Sequence, residues 1–169
     1  MPLQLDLAPV AGFVALMATA AVEDIRRLVI PNAVIVGLCL LWPFHLATAP
    51  NATMTAGMAS IGCAVSVFFA GALLFSRGLT GGGDVKLLAA ASLWAGPDGI
   101  LPLLALMGLL GGLLGLFVLS PICPDFLGFR RRLPTDPSEF TAGRTNPVVP
   151  YGVAIAAAAL IVTIPPSFS

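Results

Sequence analysis

Residues 76–87 read Ser-Arg-Gly-Leu-Thr-Gly-Gly-Gly-Asp-Val-Lys-Leu, placing an arginine, an aspartate and a lysine between long apolar segments almost without charge. The consecutive Gly81, Gly82 and Gly83 are poor material for a helix interior. The stretch therefore predicts a hydrophobic helix ending near Phe75, a flexible turn, and a new helix starting at Asp84. Two readings of Asp84 compete. A carboxylate at a helix N-terminus is favoured by the macrodipole, which makes Asp84 a cap. Alternatively, the glycines let another backbone, or an extended substrate, approach a carboxylate held at the edge of a membrane.

Composition supplies the membrane. The chain is 58% hydrophobic and 9% charged, against roughly 25% charged in an average soluble domain. Mean hydropathy is +1.01, the signature of a polytopic membrane protein. Zero net charge argues against nucleic acid as a partner. Cys39, Cys63 and Cys123 form no C-x-x-C pair, so neither a zinc site nor a disulfide framework is supported, and packing is expected of the first two.

Outward from the glycines, apolar segments alternate with brief interruptions. A first span is expected over Leu7–Val22, reaching back toward Leu3. It is no cleaved signal peptide, because Asp6 precedes it and its basic residues, Arg26 and Arg27, follow it. A second span covers about Ala33–Ala49 and a third Met54–Phe75, long enough for the roughly 30 Å hydrocarbon core. A fourth, Val85–Ala95, is only about half a full span and closes at Gly96-Pro97-Asp98-Gly99. The fifth, about Ile100–Leu119, carries glycines that permit close helix contact. A polar loop over about 120–147 precedes the sixth, about Val148–Ile164.

All eight Lys and Arg residues fall in three loops: Arg26 and Arg27; Arg77 and Lys86; Arg130, Arg131, Arg132 and Arg144. With six spans these loops share one side. The positive-inside rule makes that side cytoplasmic and puts both termini outside. The expected architecture is thus a single all-α domain over 1–169 with six transmembrane helices, the fourth short.

Asp6 and Asp98 then fall outside, while Asp125, Asp136 and Glu139 fall in the polar loop, all in solvated settings. Glu23, Asp24 and Asp84 instead adjoin apolar helices at the cytoplasmic boundary, where ionisable groups are functional candidates. Packing of spans one and four would bring Asp24 and Asp84 together. Two carboxylates sharing a site titrate as a pair, one protonated and one ionised. Aspartyl peptide hydrolysis needs that state: one takes a proton from water while the other polarises the scissile carbonyl.

Asp24, Arg26 and Ile30-Pro31-Asn32, taken with Gly81-Gly82-Gly83-Asp84-Val85-Lys86-Leu87, resemble the type IV prepilin peptidase family of membrane-embedded G-x-G-D aspartyl proteases. Val149-Pro150-Tyr151-Gly152-Val153-Ala154 resembles the entry to that family's last helix. The resemblance runs from about Ala20 to Ala159. It implies Asp24 and Asp84 as the catalytic pair, Gly81 and Gly83 as motif glycines and Gly82 as the variable position. It also implies a pilin-like precursor as substrate, cut where its leader meets its hydrophobic helix, at the cytoplasmic membrane of a bacterium or archaeon.

The larger members carry a domain with paired C-x-x-C motifs and methylate the new N-terminus. This chain has no such cysteines and is expected to start almost directly with its first span. It therefore resembles the small peptidase-only branch of tight-adherence pili or preflagellin processing. No metal or organic cofactor is expected, since water is the nucleophile.

Several neighbours have two readings each. Lys86 either acts on the site, lowering the pKa of a nearby carboxylate or orienting substrate, or snorkels to the interface. Arg27 is spaced for an i,i+3 ion pair with Asp24, or serves topology alone. Glu23 should face headgroups or water, because neighbouring helix positions diverge by about 100°. Pro31 suits the start of the second helix, and His45 is far from the aspartates. Trp42, Trp94 and Tyr151 fall near span ends, as interface anchors do. The competing function is a non-enzymatic transporter or assembly subunit, although a transporter site belongs nearer the bilayer midplane.

Overall fold

A computed structural model describes residues 3–48, 53–119 and 150–164 of the 169. The expected cytoplasmic loop at 120–147, the turn at Ala49-Pro50-Asn51 and Cys123 lie outside the described residues. Those described form five helices and no strand: α1 Leu3–Arg27, α2 Asn32–Thr48, α3 Met54–Ser76, α4 Gly82–Leu119 and α5 Tyr151–Thr163. Ala8–Arg27, Met54–Ser76 and Gly82–Phe117 are long and apolar enough to cross a membrane, and α2 and α5 are shorter apolar helices.

Helix ends differ from expectation where they matter most. α1 continues past Val22 to Arg27, so Asp24 lies in its last turn. The Leu28 amide then donates to the Asp24 carbonyl at 2.9 Å, with Leu28 at φ 54°. This is a left-handed helix stop, built on a residue for which that conformation costs roughly 1–2 kcal/mol. At the end of α3, Gly78 donates to Phe75 and Leu79 to Leu74 at 2.9 and 3.0 Å. With Gly78 at φ 72°, this is a Schellman stop. α4 starts at Gly82, two residues before the expected Asp84.

α4 is not one straight rod. Gly82–Phe117 is 36 residues, about 54 Å at 1.5 Å per residue, well beyond the hydrocarbon core. Gly96, at φ 66° and ψ −174°, breaks it. α5 shows where each arm goes. A Cβ on Gly111 would lie 3.0 Å from the Tyr151 ring at the start of α5, and one on Gly99 would lie 3.1 Å from Val162 near its end. Tyr151 and Asp84 border the same cavity. The second arm therefore returns to the level where the first began. The chain reverses at Gly96, within the predicted Gly96–Gly99 break.

The core sits among α1, α2, α4 and α5. α5 buries Gly152, Ala154, Ile155, Ala156, Ala158 and Ala159, and such small residues let neighbouring helices close in on it. It packs against both α1 and α4, whereas α1 and α4 share no comparably extensive contact. Spans one and four therefore touch locally, at Phe13 and Trp94, and most of their association runs through α5. α3 is peripheral: 6% of its apolar window is buried, and Met54, Met58, Phe69 and Leu73 are exposed. Water would penalise such a face heavily and lipid would not.

Trp94 ties the far end together. Its ring stacks on Phe13 of α1 at 4.5 Å and on His45 of α2 at 4.8 Å. Its Nε1 donates to the Leu38 carbonyl at 3.0 Å. Trp42 and Trp94 are therefore buried packing residues instead of interface anchors; the spacing of tryptophans along a span does not distinguish the two. Exposed Tyr151 stands at a helix start as expected. His45 takes the expected packing role. Trp94→Phe keeps a ring but loses the indole N–H, and should destabilise by about 1 kcal/mol. Trp94→Ala should cost about 3–5 kcal/mol. Thermal unfolding in detergent measures both, and equally small losses would show that Trp94 is no hub.

Candidate active site

One cavity of about 540 Å³ opens between the turns that follow α1 and α3. The first turn contributes Leu28, Val29 and Ile30, and Asn32 begins α2 beside it. The second contributes Gly78 through Gly81, and Gly82 and Gly83 open α4 beside it. Asp24, Asp84, Lys86 and Tyr151 complete the lining. All five residues singled out by sequence, Asp24, Asp84, Gly81, Gly83 and Lys86, therefore border a single space.

Asp24 is 5% exposed and points at the start of α5. A Cβ on Gly152 would fall 2.7 Å from Asp24 Oδ2 and 2.9 Å from Cγ. A side chain at 152 would thus push the carboxylate from this position. The amides of Gly152 and Val153 are directed at it, the usual relation of a carboxylate to a helix N-terminus. Oδ2 nevertheless completes no hydrogen bond of good geometry among the described residues.

Asp84 is half-buried at the third helical position of α4. The Gly81 carbonyl accepts the first helical bond, from Val85 at 3.2 Å, and the Gly81 amide interacts with the Asp84 carboxylate. That is the reach-back of a capping box, so Asp84 caps its helix and also faces the cavity. It is close enough to Asp24 to feel its charge. Capping the helix and facing the cavity are thus not exclusive for Asp84.

The glycine run does not supply unusual backbone angles. Positive φ among the described glycines occurs at Gly78 and Gly96, and Gly82 and Gly83 are helical. Its contribution is room. A Cβ on Gly83 would lie 3.3 Å from Ile30 Cβ, one on Gly82 3.4 Å from the Phe75 ring, and one on Gly81 2.8 Å from Asp84 Oδ2. Gly83 therefore lets the turn after α1 close on the start of α4.

Lys86 Nζ donates to Asn32 Oδ1 at 3.1 Å, joining α4 to the start of α2 at the cavity edge. Arg27 pairs with Glu23 at 3.2 Å and not with Asp24, because at i,i+3 the Asp24 side chain turns inward toward α5. The pair is exposed on the arginine side, worth roughly 0.2–1 kcal/mol, and it keeps both charges away from Asp24. Thr80 Oγ1, at the cavity, is buried with no partner among the described residues.

Leu28, Val29, Thr80, Tyr151 and Gly152 were not singled out as site residues. For Gly152 a signal existed, a glycine just inside a helix that packs on others, but its contact with Asp24 is long-range. Among the described residues no group of three or more His, Cys, Asp or Glu could hold a metal ion.

No curated protein and no solved structure matches the chain. The model of the type IV leader peptidase family matches residues 11–116, a segment that contains both carboxylates, the glycine run and Lys86. An all-helical apolar chain whose two matched aspartates face one cavity accords with that match, and the chain belongs to the type IV leader peptidase family.

Proposed function

We propose that the protein is a membrane aspartyl endopeptidase that removes the leader from pilin-like precursors at the cytoplasmic face of the membrane. The observation that carries this reading is the convergence of Asp24 and Asp84, from distant helices, on one cavity. With one carboxyl protonated and its partner ionised, the ionised oxygen accepts a proton from water as the water oxygen attacks the scissile carbonyl carbon. The protonated partner gives its proton to the carbonyl oxygen. Collapse of the tetrahedral intermediate breaks the C–N bond. Proton transfer to the leaving nitrogen then yields a new carboxyl and a new amine.

In this reading the chain crosses the membrane six times, the arms of α4 counting separately because α4 reverses at Gly96. Both termini are outside and the dyad lies at the cytoplasmic boundary with the basic loops. A substrate with a basic leader and an apolar helix would bring the junction of the two to that level.

Co-expression with a candidate pilin precursor tests the activity directly by leader removal. Asp24→Asn and Asp84→Asn should each lower cleavage about 10²–10⁴-fold while leaving membrane insertion intact. Asp98→Asn, at the α4 reversal, should process normally. Full processing by either dyad variant would remove that residue from the mechanism. Cleavage should also peak at intermediate pH, falling when both carboxyls are protonated and when both are ionised.

Gly152→Ala tests how Asp24 is held. Its Cβ would overlap the carboxylate, and a displacement of about 1 Å can cost 10²-fold in rate. Cleavage should fall by that order, with a stability loss of roughly 1–3 kcal/mol from the overpacking. Unchanged cleavage would show that the close approach has no part in activity.

Topology has its own check. In a cysteine-free background, Thr135→Cys should be protected from an impermeant thiol reagent added to intact cells, and Ala52→Cys should be labelled. The opposite pattern would put the dyad on the wrong face.

A further inference from the structure

α2 and α3 each pack on α4 but make no comparable contact with each other. They meet at the end far from the dyad, where a Cβ on Gly57 would lie 2.8 Å from Leu46 and 3.7 Å from Trp42. Toward the dyad they part, leaving an apolar groove of about 250 Å³ floored by α4. Its walls include Ile35 and exposed Cys39 of α2 and Ala64 and Phe69 of α3, and its floor runs from Lys86 to Leu93. That floor is about 10 Å long at 1.5 Å per residue, two helical turns, the repeat over which a docked helix presents side chains at i, i+3 or i+4, and i+7.

Lys86 borders both this groove and the dyad cavity. The groove therefore adjoins the site at Lys86, where the Lys86–Asn32 hydrogen bond spans the boundary, and Gly57 against Leu46 closes its other end. We propose that the groove between α2 and α3 is the lateral docking site for the apolar helix of the precursor. The helix lies along α4 from Leu93 toward Lys86, so that the chain preceding its first turn enters the dyad cavity. The proposal rests on the peptidase reading and assigns that reading its substrate-binding surface. An acyl chain would also suit the apolar walls. Adjacency to the cavity through Lys86 favours the precursor, because a helix ending there places the chain before it beside Asp24 and Asp84.

Native Cys39 provides the probe. In a Cys63→Ser, Cys123→Ser background with Asp84→Asn to keep the precursor uncut, single cysteines are walked along the precursor helix and oxidatively crosslinked to Cys39. Crosslinks should recur with helical periodicity on one face of the precursor. No crosslink at any position, with Cys39 still reactive to a small maleimide, overturns the proposal. Shielding of Cys39 by lipid, unchanged when precursor is added, overturns it as well.

The second arm is kinetic and uses the chain with Asp84 intact. Ala64→Phe, which fills the groove from α3, should raise KM for the full precursor about tenfold with kcat kept. Unchanged KM would overturn the proposal, and so would loss of kcat with KM kept. If the unaltered protein cleaves no precursor, the peptidase reading fails, and the crosslinking pattern still reports whether the helix docks.

Discussion

A carboxylate among apolar helices needs something in place of water, and here the start of α5 provides it. Asp24 is almost wholly buried, and the Gly152 and Val153 amides face it. Unfulfilled helix-start N–H groups and a carboxylate answer each other's requirement, but only at short range. Gly152 sets that range, because a Cβ there would lie 2.7 Å from Asp24 Oδ2 and force the carboxylate or the helix aside. The remainder of α5 consists largely of small buried residues, which lets it pack on α1 and α4 at once. Asp24 and Asp84 reach the same cavity through this shared neighbour.

Asp84 shows how one residue can serve fold and site together. Its reach back to Gly81 holds the first turn of α4, and the same geometry faces the carboxylate into the cavity. The glycines before it act through their missing side chains, with Gly83 admitting Ile30. Ile30 in turn follows Leu28, whose left-handed conformation ends α1 directly after the turn that carries Asp24. Strain of this kind persists only where the surroundings over-determine it. Here the surroundings are the helix stop behind it and the buried Ile30 ahead of it.

Much of this was readable from local sequence. Charge-free apolar runs located the helices, and the two aspartate motifs marked the residues that share the cavity. Side-chain direction was harder to read. Trp42 and Trp94 occupy positions that suit either an interface or a core, and the rings of Phe13 and His45, which decide the matter for Trp94, come from other helices. Arg27 satisfied spacing rules for both Asp24 and Glu23, and the inward turn of Asp24 left it Glu23. The Pro150-Tyr151-Gly152 run marked a helix entry, but Gly152 lies far along the chain from Asp24, so its contact with the carboxylate is tertiary.

The reversal of α4 at Gly96 links the dyad to the open flank beside it. Pro97 supplies no backbone N–H there, and Gly96 adopts a left-handed φ that a side chain would strain. A Cβ at 96 would also meet Ser60 Oγ at 3.2 Å, so the apex of the hairpin rests against α3. Lower down, Gly71 of α3 accommodates Val85, whose Cγ1 would be 2.7 Å from an added Cβ. α3 is thus held to the first arm of α4 at the apex and beside Asp84. Trp94 and Lys86 connect α2 to that same arm at matching levels. Two helices fastened to a common third along its length need not touch each other, and α2 and α3 part on the side where Phe68 and Phe69 are exposed. The lateral opening beside the dyad therefore follows from how α4 gathers its neighbours.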